Sequence, residues 1–127
     1  MEQSKVLTAL SALAHAARLD LLRLLMPLGD QGLPAGEIGR SLGLTASRLS
    51  FHLAAMEQAG LIRSRRAARN VIYSVDARQI GQTIGYLLNH SCCGHPTVRD
   101  CCAQYPTGPA SVSLPVMDPQ VAALPER

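Results

Sequence analysis

The sequence predicts a mainly α-helical domain with one small β-hairpin, on three observations. Of the 127 residues, 47% are hydrophobic but only 3% are aromatic and none is tryptophan. The core must therefore be aliphatic, which favours helices. Apolar residues recur at helical spacing along most of the chain that precedes the cysteines. Two short β-prone runs flank a polar tip and predict the hairpin.

The first three predicted helices follow from apolar spacing and from residues that begin or end helices. The first lies near residues 2–14. The second, Arg18–Leu28, is apolar nearly all round, which predicts that it is buried in the centre of the domain. We expect Pro34 at the first position of the third helix, where its missing N–H costs nothing. Gly43 is expected in a left-handed cap at the end of that helix.

The fourth predicted helix follows the third after a short turn. It begins at Thr45, whose hydroxyl suits the N-cap. Leu49, Leu53 and Met56 form its inward stripe at positions i, i+4 and i+7, and Gly60 ends it. The third and fourth helices together form helix, short turn, helix, the supersecondary unit that binds DNA.

The hairpin follows the recognition helix and leads into a fifth helix. Its two runs are Leu61–Arg66 and Val71–Val75, and the arginines near its tip and base predict a wing beside the DNA-binding unit. The fifth helix begins at about Asp76 and runs to about His90 or the cysteines.

These elements predict one domain and a C-terminal tail. Residues 1–102 are expected to form a single winged helix-turn-helix domain, in the order four helices, wing, fifth helix, with the thiols at its end. Five of the eight prolines fall in residues 103–127. That composition, with little periodicity, predicts a largely irregular tail.

Positive charge concentrates where DNA would bind. Positions 40 to 69 hold six arginines and one acid, Glu57, although the whole chain carries only +3. A local basic field favours a polyanion as partner. We expect Arg48 to read guanine, Phe51 either to touch a thymine methyl or to lie in the core, and His52 either to bind phosphate or to support the helix. The predicted DNA-binding residues are Thr45, Ser47, Arg48, Ser50, Phe51, His52, Arg63, Arg65, Arg66 and Arg69.

No stretch of the sequence predicts a membrane span or a signal peptide. A span needs roughly 18 consecutive apolar residues, and the N-terminus has no apolar h-region. We therefore expect a cytoplasmic protein with no membrane partner. Cytosolic thiols stay reduced, so clustered cysteines there are ligands or redox sensors more often than disulfides.

All four cysteines lie within eleven residues, as two vicinal pairs. The seven residues between the pairs are expected to form a loop long enough to fold back, so that three or four sulfurs converge. Thiolates are soft donors that select soft ions. Vicinal pairs suit tetrahedral zinc poorly, whereas pyramidal trivalent arsenic or antimony needs only three sulfurs on one side. We predict an effector site for As(III) or Sb(III), and no catalytic cofactor. The predicted ligands are Cys92, Cys93, Cys101 and Cys102.

Several of these segments resemble the ArsR/SmtB family of metal-sensing repressors. Ala9–Leu25 resembles the opening helices of that family, and Leu44–Leu53 followed by Glu57–Ile62 resembles its recognition helix and exit. The wing ending in Tyr73 also fits. The resemblance covers roughly residues 3–102 and is strong as a whole-pattern match.

The resemblance implies a homodimer that binds operator DNA, represses a resistance operon and is released by an effector. In that family the first and fifth helices pair across a two-fold axis. The dimer-interface residues expected on these helices are Val6, Leu10, Leu13, Ile80, Ile84, Leu87 and Leu88.

The end of the fifth helix resembles the arsenic-sensing branch of the family. The motif Asn89–Pro96 followed by Arg99–Cys101 implies that Cys92 and Cys93 are ligands together with Cys101. Cys102 is additional, so either of the last two cysteines supplies the third thiolate. Pro34-Ala35-Gly36 stands where many relatives carry a C-x-C motif, so no site is expected there.

Three alternatives remain open from the residues. In the first alternative, the same repressor senses methylated arsenicals, other soft metals, oxidants or reactive sulfur through these thiols. A thiol enzyme is a second alternative, against which stand the missing Cys-x-x-Cys motif and the lack of a further domain to hold a substrate. Constitutive DNA binding, the third, leaves the cysteines without a role. We expect a repressor and not an enzyme.

Overall fold

The computed structural model describes residues 1–104 as six helices around a three-stranded antiparallel sheet. The helices are α1 (Gln3–Leu13), α2 (Ala16–Leu25), α3 (Ala35–Leu42), α4 (Ala46–Gln58), α5 (Ala77–Tyr86) and α6 (Pro96–Gln104). The strands are β1 (Leu33–Pro34), β2 (Ile62–Ala67) and β3 (Asn70–Val75). The predicted fold class is confirmed. Of the predicted tail, residues 103 and 104 end α6 and the rest lies outside the described residues.

The wing is the predicted hairpin, and a third strand joins it. β2 and β3 pair in register from Ile62 opposite Val75 to Ala67 opposite Asn70, and the sheet order is β1-β3-β2. No pattern in the sequence indicated β1, because two residues are too short to show strand periodicity. The expectation for Pro34 is wrong: it pairs with Ile72 in β1, and α3 begins one residue later.

Local capping places α4 as predicted. The backbone N–H of Arg48 donates to Thr45 Oγ1 at 3.3 Å, which caps the helix start. At its end the N–H of Leu61 donates to the Met56 carbonyl at 3.0 Å, with Gly60 at φ +80°, as in a Schellman motif. α3 likewise ends at a left-handed Gly43, as predicted. The short turn between α3 and α4 is therefore set by local chemistry.

The core lies between α1, α2, α4 and the base of the sheet. The expectation that α2 is buried all round is wrong: Leu21 and Leu25 are fully buried, but Leu19 is 50% exposed. A small domain covers only one face of this helix. α2 also ends at Leu25, and Met26–Gln31 forms a 3-10 turn. The core residues are Ala9, Ala12, Leu21, Leu25, Ile38, Leu49, Leu53, Met56, Ala59, Leu61, Ile62, Val75 and Ile80.

The C-terminal part of the described chain differs most from expectation. Asp76 caps α5 as predicted, accepting the Gln79 N–H at 3.1 Å. α5 then widens into a π-type turn over Leu87–Ser91. The predicted loop between the two cysteine pairs is wrong, because a new helix, α6, begins at Pro96. Proline ends a preceding helix but suits the first position of the next one. Within residues 1–104, no helix combines the length and the apolarity that crossing a membrane requires.

We predict that Gly32→Ala destabilises the fold by at least about 2 kcal/mol, because two costs combine there. Gly32 has φ +62°, and an added Cβ would collide with the backbone carbonyl of Tyr73 in β3. Gly29 is the matched control, with φ +59° and open space around its Cβ position. Urea unfolding measures the loss of stability in both variants. The difference between the two losses is the cost of the collision, because both variants share the cost of a positive φ. Equal decreases in stability for the two variants would contradict the collision.

Candidate nucleic-acid interface and thiol cluster

The recognition helix α4 presents a polar outer face that carries one phenylalanine. Leu49, Leu53 and Met56 are buried, as predicted, and the opposite face is exposed. Phe51 is 65% exposed, which excludes its alternative assignment to the core. Thr45 is exposed too, with its hydroxyl engaged in the helix cap. The exposed predicted residues of this helix are Ser47, Arg48, Ser50 and Phe51.

His52 does not lie on this outer face, where its predicted role in DNA binding would require it. Its side chain is buried, and Arg18 Nε donates to His52 Nδ1 at 3.0 Å. His52 follows Leu49 by three positions, so it shares the edge of the buried stripe. Of the two roles expected for it, the structure places it where it supports the helix.

Arg18 is the functional residue that the sequence analysis missed. It lies on α2 with only 5% of its surface exposed. Its Nη1 donates to the Ala12 carbonyl at the end of α1 at 3.2 Å, and its guanidinium lies 5.5 Å from the Phe51 ring centroid. Within residues 1–104 no carboxylate pairs with it. A charged residue inside the apolar run of α2 was the available signal.

The buried contact requires a neutral His52. Burial lowers the pKa of His52 below its ordinary value of 6.5, and the positive charges of Arg18, His15 and Arg48 lower it further. His15 occupies the α1–α2 junction, with its ring centroid 6.0 Å from that of His52. Near neutral pH the Nδ1 lone pair is therefore free to accept from Arg18.

The arginines of the wing divide into two sets. Arg63 and Arg65 lie on one face of β2 and both reach the 3-10 turn. Arg65 donates to the backbone carbonyls of Asp30 and Gln31 at 3.1 and 3.3 Å, and Arg63 lies 3.6 Å from the Asp30 carboxylate. Arg66 and Arg69 are exposed toward the tip. In the part of the chain that the structure describes, only the first set is tied to the 3-10 turn.

The other face of the wing packs toward the recognition helix. Ser64 Oγ donates to the Glu57 carboxylate on α4 at 2.7 Å. Tyr73, opposite Ser64 in the sheet, is half-buried, and burial together with the Glu57 charge raises its pKa above 10.0. These contacts fix the wing relative to α4.

The predicted dimer face is only partly available on the surface. Val6 is 2% exposed and Ile80 8% exposed, so both belong to the core of the single chain and their assignment to the interface is wrong. Their spacing fits either role, and α1 and α5 contact each other. Leu13, Leu87 and Leu88 are half-buried. The large apolar residues that remain exposed on α1 and α5 are Leu7, Leu10 and Ile84; we call them the α1–α5 face.

The first cysteine pair closes the end of α5. The Cys92 N–H donates to the Leu87 carbonyl at 2.8 Å and the Gly94 N–H donates to the Leu88 carbonyl at 2.7 Å. Cys93 has φ +55°, a left-handed backbone that costs a non-glycine residue roughly 1–3 kcal/mol. Cys92 is half-buried and Cys93 is exposed.

The second cysteine pair lies on α6. Cys101 and Cys102 are both exposed and free. Cys101 lies five residues after Pro96 on α6, which places it about 7.5 Å further along the helix axis than Pro96. Within residues 1–104 the structure brings no three cysteine, histidine or acidic side chains close enough to hold a metal ion. The four predicted thiol ligands thus form two separate pairs in the single chain.

A short tether holds α6 against the end of α5. Arg99 Nε donates to the Gly94 carbonyl at 3.3 Å, and Arg99 Nη2 donates to Asn89 Oδ1 at 3.4 Å. Both contacts are exposed. Exposed hydrogen bonds of this kind contribute about 1 kcal/mol each at most, so the position of α6 is weakly fixed.

Comparison with known proteins identifies the family. A family model described as a helix-turn-helix domain matches residues 13–65, which span α2 to the first half of the wing. The chain is 42% identical over 83 residues to the HTH-type transcriptional regulator YgaV of Escherichia coli strain K12, covering 65% of this chain and 82% of that protein. The chain belongs to the HTH-type transcriptional regulators.

Solved structures of similar proteins show the same fold. HlyU from Vibrio cholerae, named a transcriptional activator, superposes with a TM-score of 0.57 at 33% identity, covering 72% of this chain and 99% of that chain. Mb0332 from Mycobacterium bovis is described as a homodimeric winged helix-turn-helix DNA-binding domain of a possible ArsR-family regulator. It gives a TM-score of 0.55 at 24% identity over 68% of this chain and 82% of that chain. This regulator has the ArsR-like winged-helix fold and acts by binding DNA, not as an enzyme.

We predict that stability falls as the pH drops below about 6.5. The pKa of His52 is lower in the folded chain than in the unfolded chain, so the unfolded chain takes up a proton at higher pH. The free energy of unfolding therefore decreases as the pH falls from 6.5 to the pKa of His52 in the folded chain. Urea unfolding across this range measures the slope. His52→Asn keeps an acceptor near the Nδ1 position without titrating, so its slope should be shallower. His90→Asn is the control, and an unchanged slope in His52→Asn would contradict the assignment.

Proposed function

We propose that this regulator is a homodimeric repressor that leaves its operator when trivalent arsenic or antimony binds its thiols. The observation that carries the proposal is the placement of all four cysteines on the end of α5 and on α6 of a DNA-binding regulator, three of them exposed. Soft thiolates fit a soft trivalent ion. Methylated arsenicals, other soft metals, oxidants and reactive sulfur are the competing signals for the same thiols.

DNA reading is assigned to α4 and the wing. The N-terminal half of α4 enters a major groove with Ser47, Arg48 and Ser50 toward the bases and phosphates. Arg48 supplies the bidentate contact to guanine. Arg66 and Arg69 extend from the wing to the minor groove or the phosphates. This division follows from the exposed arginines near the wing tip and from the contacts that hold Arg63 and Arg65 at its base.

Dimerisation is assigned to the α1–α5 face. Three large apolar residues exposed on two adjoining helices favour burial against another apolar surface. A second copy of the chain supplies that surface by two-fold symmetry. Mb0332, of the same fold, is described as homodimeric. A two-fold dimer sets two α4 helices about one DNA turn apart, as a palindromic operator requires.

An inorganic trivalent arsenic or antimony centre needs three thiols. A methylated arsenical needs only two, because its substituent occupies the third position. Arsenous acid exchanges its three hydroxyls for three thiolates, and each thiol proton leaves with a hydroxyl as water. The first pair and the second pair are separate in the single chain, so ligation is coupled to a movement of α6 toward Cys92 and Cys93. The weak Arg99 tether and the left-handed Cys93 backbone favour such a movement.

Movement at the end of α5 is the route to DNA release. α5 carries Ile84 of the α1–α5 face, and the π-type turn that continues from α5 ends at the first cysteine pair. A change in α5 therefore alters the dimer that sets the spacing of the two recognition helices. Coupling free energies between two sites of a protein are typically about 1–3 kcal/mol, which is enough to lower operator occupancy.

We predict that Arg48→Ala weakens operator binding by about 1–3 kcal/mol for each guanine that Arg48 reads. The probe is a fluorescent duplex selected from random DNA by the wild-type protein, and anisotropy measures the affinity. Arg23→Ala, an exposed arginine on α2, is the matched control and should bind like wild type. Equal affinities of the Arg48→Ala variant and wild type would contradict the role of Arg48.

We predict that arsenite releases the wild-type protein from this duplex at near-stoichiometric concentration under a phosphine reductant. Cys92→Ser or Cys93→Ser should abolish the release, because each removes one thiolate of the first pair. Ser91→Ala alters the neighbouring side chain without removing a thiol and should respond like wild type. A reporter gene behind the selected duplex then distinguishes repression from activation.

One result would contradict the arsenic proposal, and a second would identify an alternative signal. If the affinity for DNA is high and is the same with and without arsenite or antimonite, the effector is neither ion. Release by peroxide or persulfide, reversed by reductant and absent in the same serine variants, would identify a redox signal at these thiols.

A further inference from the structure

The chain's single phenylalanine is exposed on the surface assigned to DNA. Phe51 is 65% exposed, and it lines an open recess on α4 together with Ser47, Arg48 and His52. The side chains around its free edge are polar or charged. A large apolar ring on such a surface gains free energy only when it is covered.

The ring is held in place from below. Its centroid lies 5.5 Å from the Arg18 guanidinium, within the range of a cation–π contact, and 5.6 Å from the His52 ring in an edge-to-face arrangement. Arg18 is itself fixed by hydrogen bonds to His52 Nδ1 and to the Ala12 carbonyl. Phe51 therefore loses little rotamer freedom when its exposed edge is covered, which favours binding.

The major groove offers one apolar group on its base edges. Guanine, cytosine and adenine present donors and acceptors there, and thymine alone adds a 5-methyl group. A phosphate or a sugar hydroxyl would find a better partner in Arg48 or Ser47 on the same face. The covering group that fits the exposed edge of Phe51 is therefore the methyl of a thymine.

We propose that Phe51 is a specificity-determining residue that packs on one thymine 5-methyl in each half-site, and that Arg18 is its positioning residue. The proposal rests on the proposed function in one respect, that α4 enters the major groove. It adds the base that Phe51 selects and the residue that orients the ring. Covering one methyl should change affinity about fourfold, and two half-sites should together change it about fifteenfold.

The experiment replaces each thymine of the selected duplex, one at a time, with deoxyuridine. This change removes the methyl and leaves every hydrogen-bonding group and phosphate in place. For the wild-type protein we expect one symmetry-related pair of positions where the affinity drops about fourfold per methyl. In Phe51→Ala the same replacement should have no effect. Leu19→Ala removes another exposed apolar side chain, from α2, and should keep the wild-type pattern.

A separate variant tests the positioning role of Arg18. Arg18→Lys keeps the charge but cannot donate to both His52 and Ala12 in the same fork. We expect the thymine-to-uracil affinity ratio to fall toward one at the sensitive positions, with the salt dependence of binding unchanged. A purely structural role would weaken both duplexes equally and leave the ratio at its wild-type value, which would overturn the positioning role.

The outcomes separate this proposal from the function on which it rests. Tight binding with no sensitive thymine overturns the role of Phe51 alone, and so does a sensitive thymine that stays sensitive in Phe51→Ala. If the wild-type protein enriches no sequence from random DNA, the proposed operator reading fails and this inference fails with it.

Discussion

The Arg18 guanidinium is the group on which the arrangement of the helices depends. It is charged, buried and without a carboxylate partner in residues 1–104, so only neutral acceptors and an aromatic face satisfy it. One acceptor is the carbonyl of Ala12 at the end of α1 and the other is His52 on α4. Removing either acceptor would leave part of a buried charge without a hydrogen bond, which costs more than the bond itself contributes. The helix that carries part of the α1–α5 face and the helix proposed to read DNA are thus held in one relative orientation.

Two ends of the molecule differ in how firmly they are held. Around α4, the local cap, the core and the buried Arg18 hold the helix in place, and an exposed hydrogen bond from Ser64 to Glu57 connects the wing to it. At the end of α5 the helix widens, Cys93 adopts a left-handed backbone, and α6 is held by exposed bonds from Arg99. Regions with few buried contacts open at low free energy. A reading surface benefits from rigidity, whereas a surface that must respond to a ligand needs an alternative arrangement close in free energy.

The sequence predicted several features of the fold that depend on interactions within a few residues. The caps at Thr45 and Gly43, the hairpin and the start of α5 follow from local chemistry and are confirmed. Several of the errors share a different cause, since the features involved depend on a distant partner. His52 looked like an outward residue until Arg18, 34 positions away, accounted for its burial. Apolar periodicity showed which faces of α1 and α5 are apolar but could not separate core from surface, so Val6 was assigned to the interface and lies in the core. The strand β1 exists only because β3 lies beside it.

The separation of the thiols bears on how a ligand could act. If four sulfurs already converged in the single chain, binding would fill a preformed site and would change little else, because a ligand shifts an equilibrium only by its differential affinity for two arrangements. Because no three thiols converge within residues 1–104, the proposed ligand would bind an arrangement that the free chain does not occupy. The difference in affinity between the two arrangements is then large, since thiolate ligation is strong and the Arg99 tether is weak. Under the proposed function, part of that difference would be transmitted along α5, because the turn that ends at Cys92 is hydrogen-bonded to Leu87 and continues directly from the helix. An effector site assembled by movement is for this reason better suited to regulation than one that is already complete.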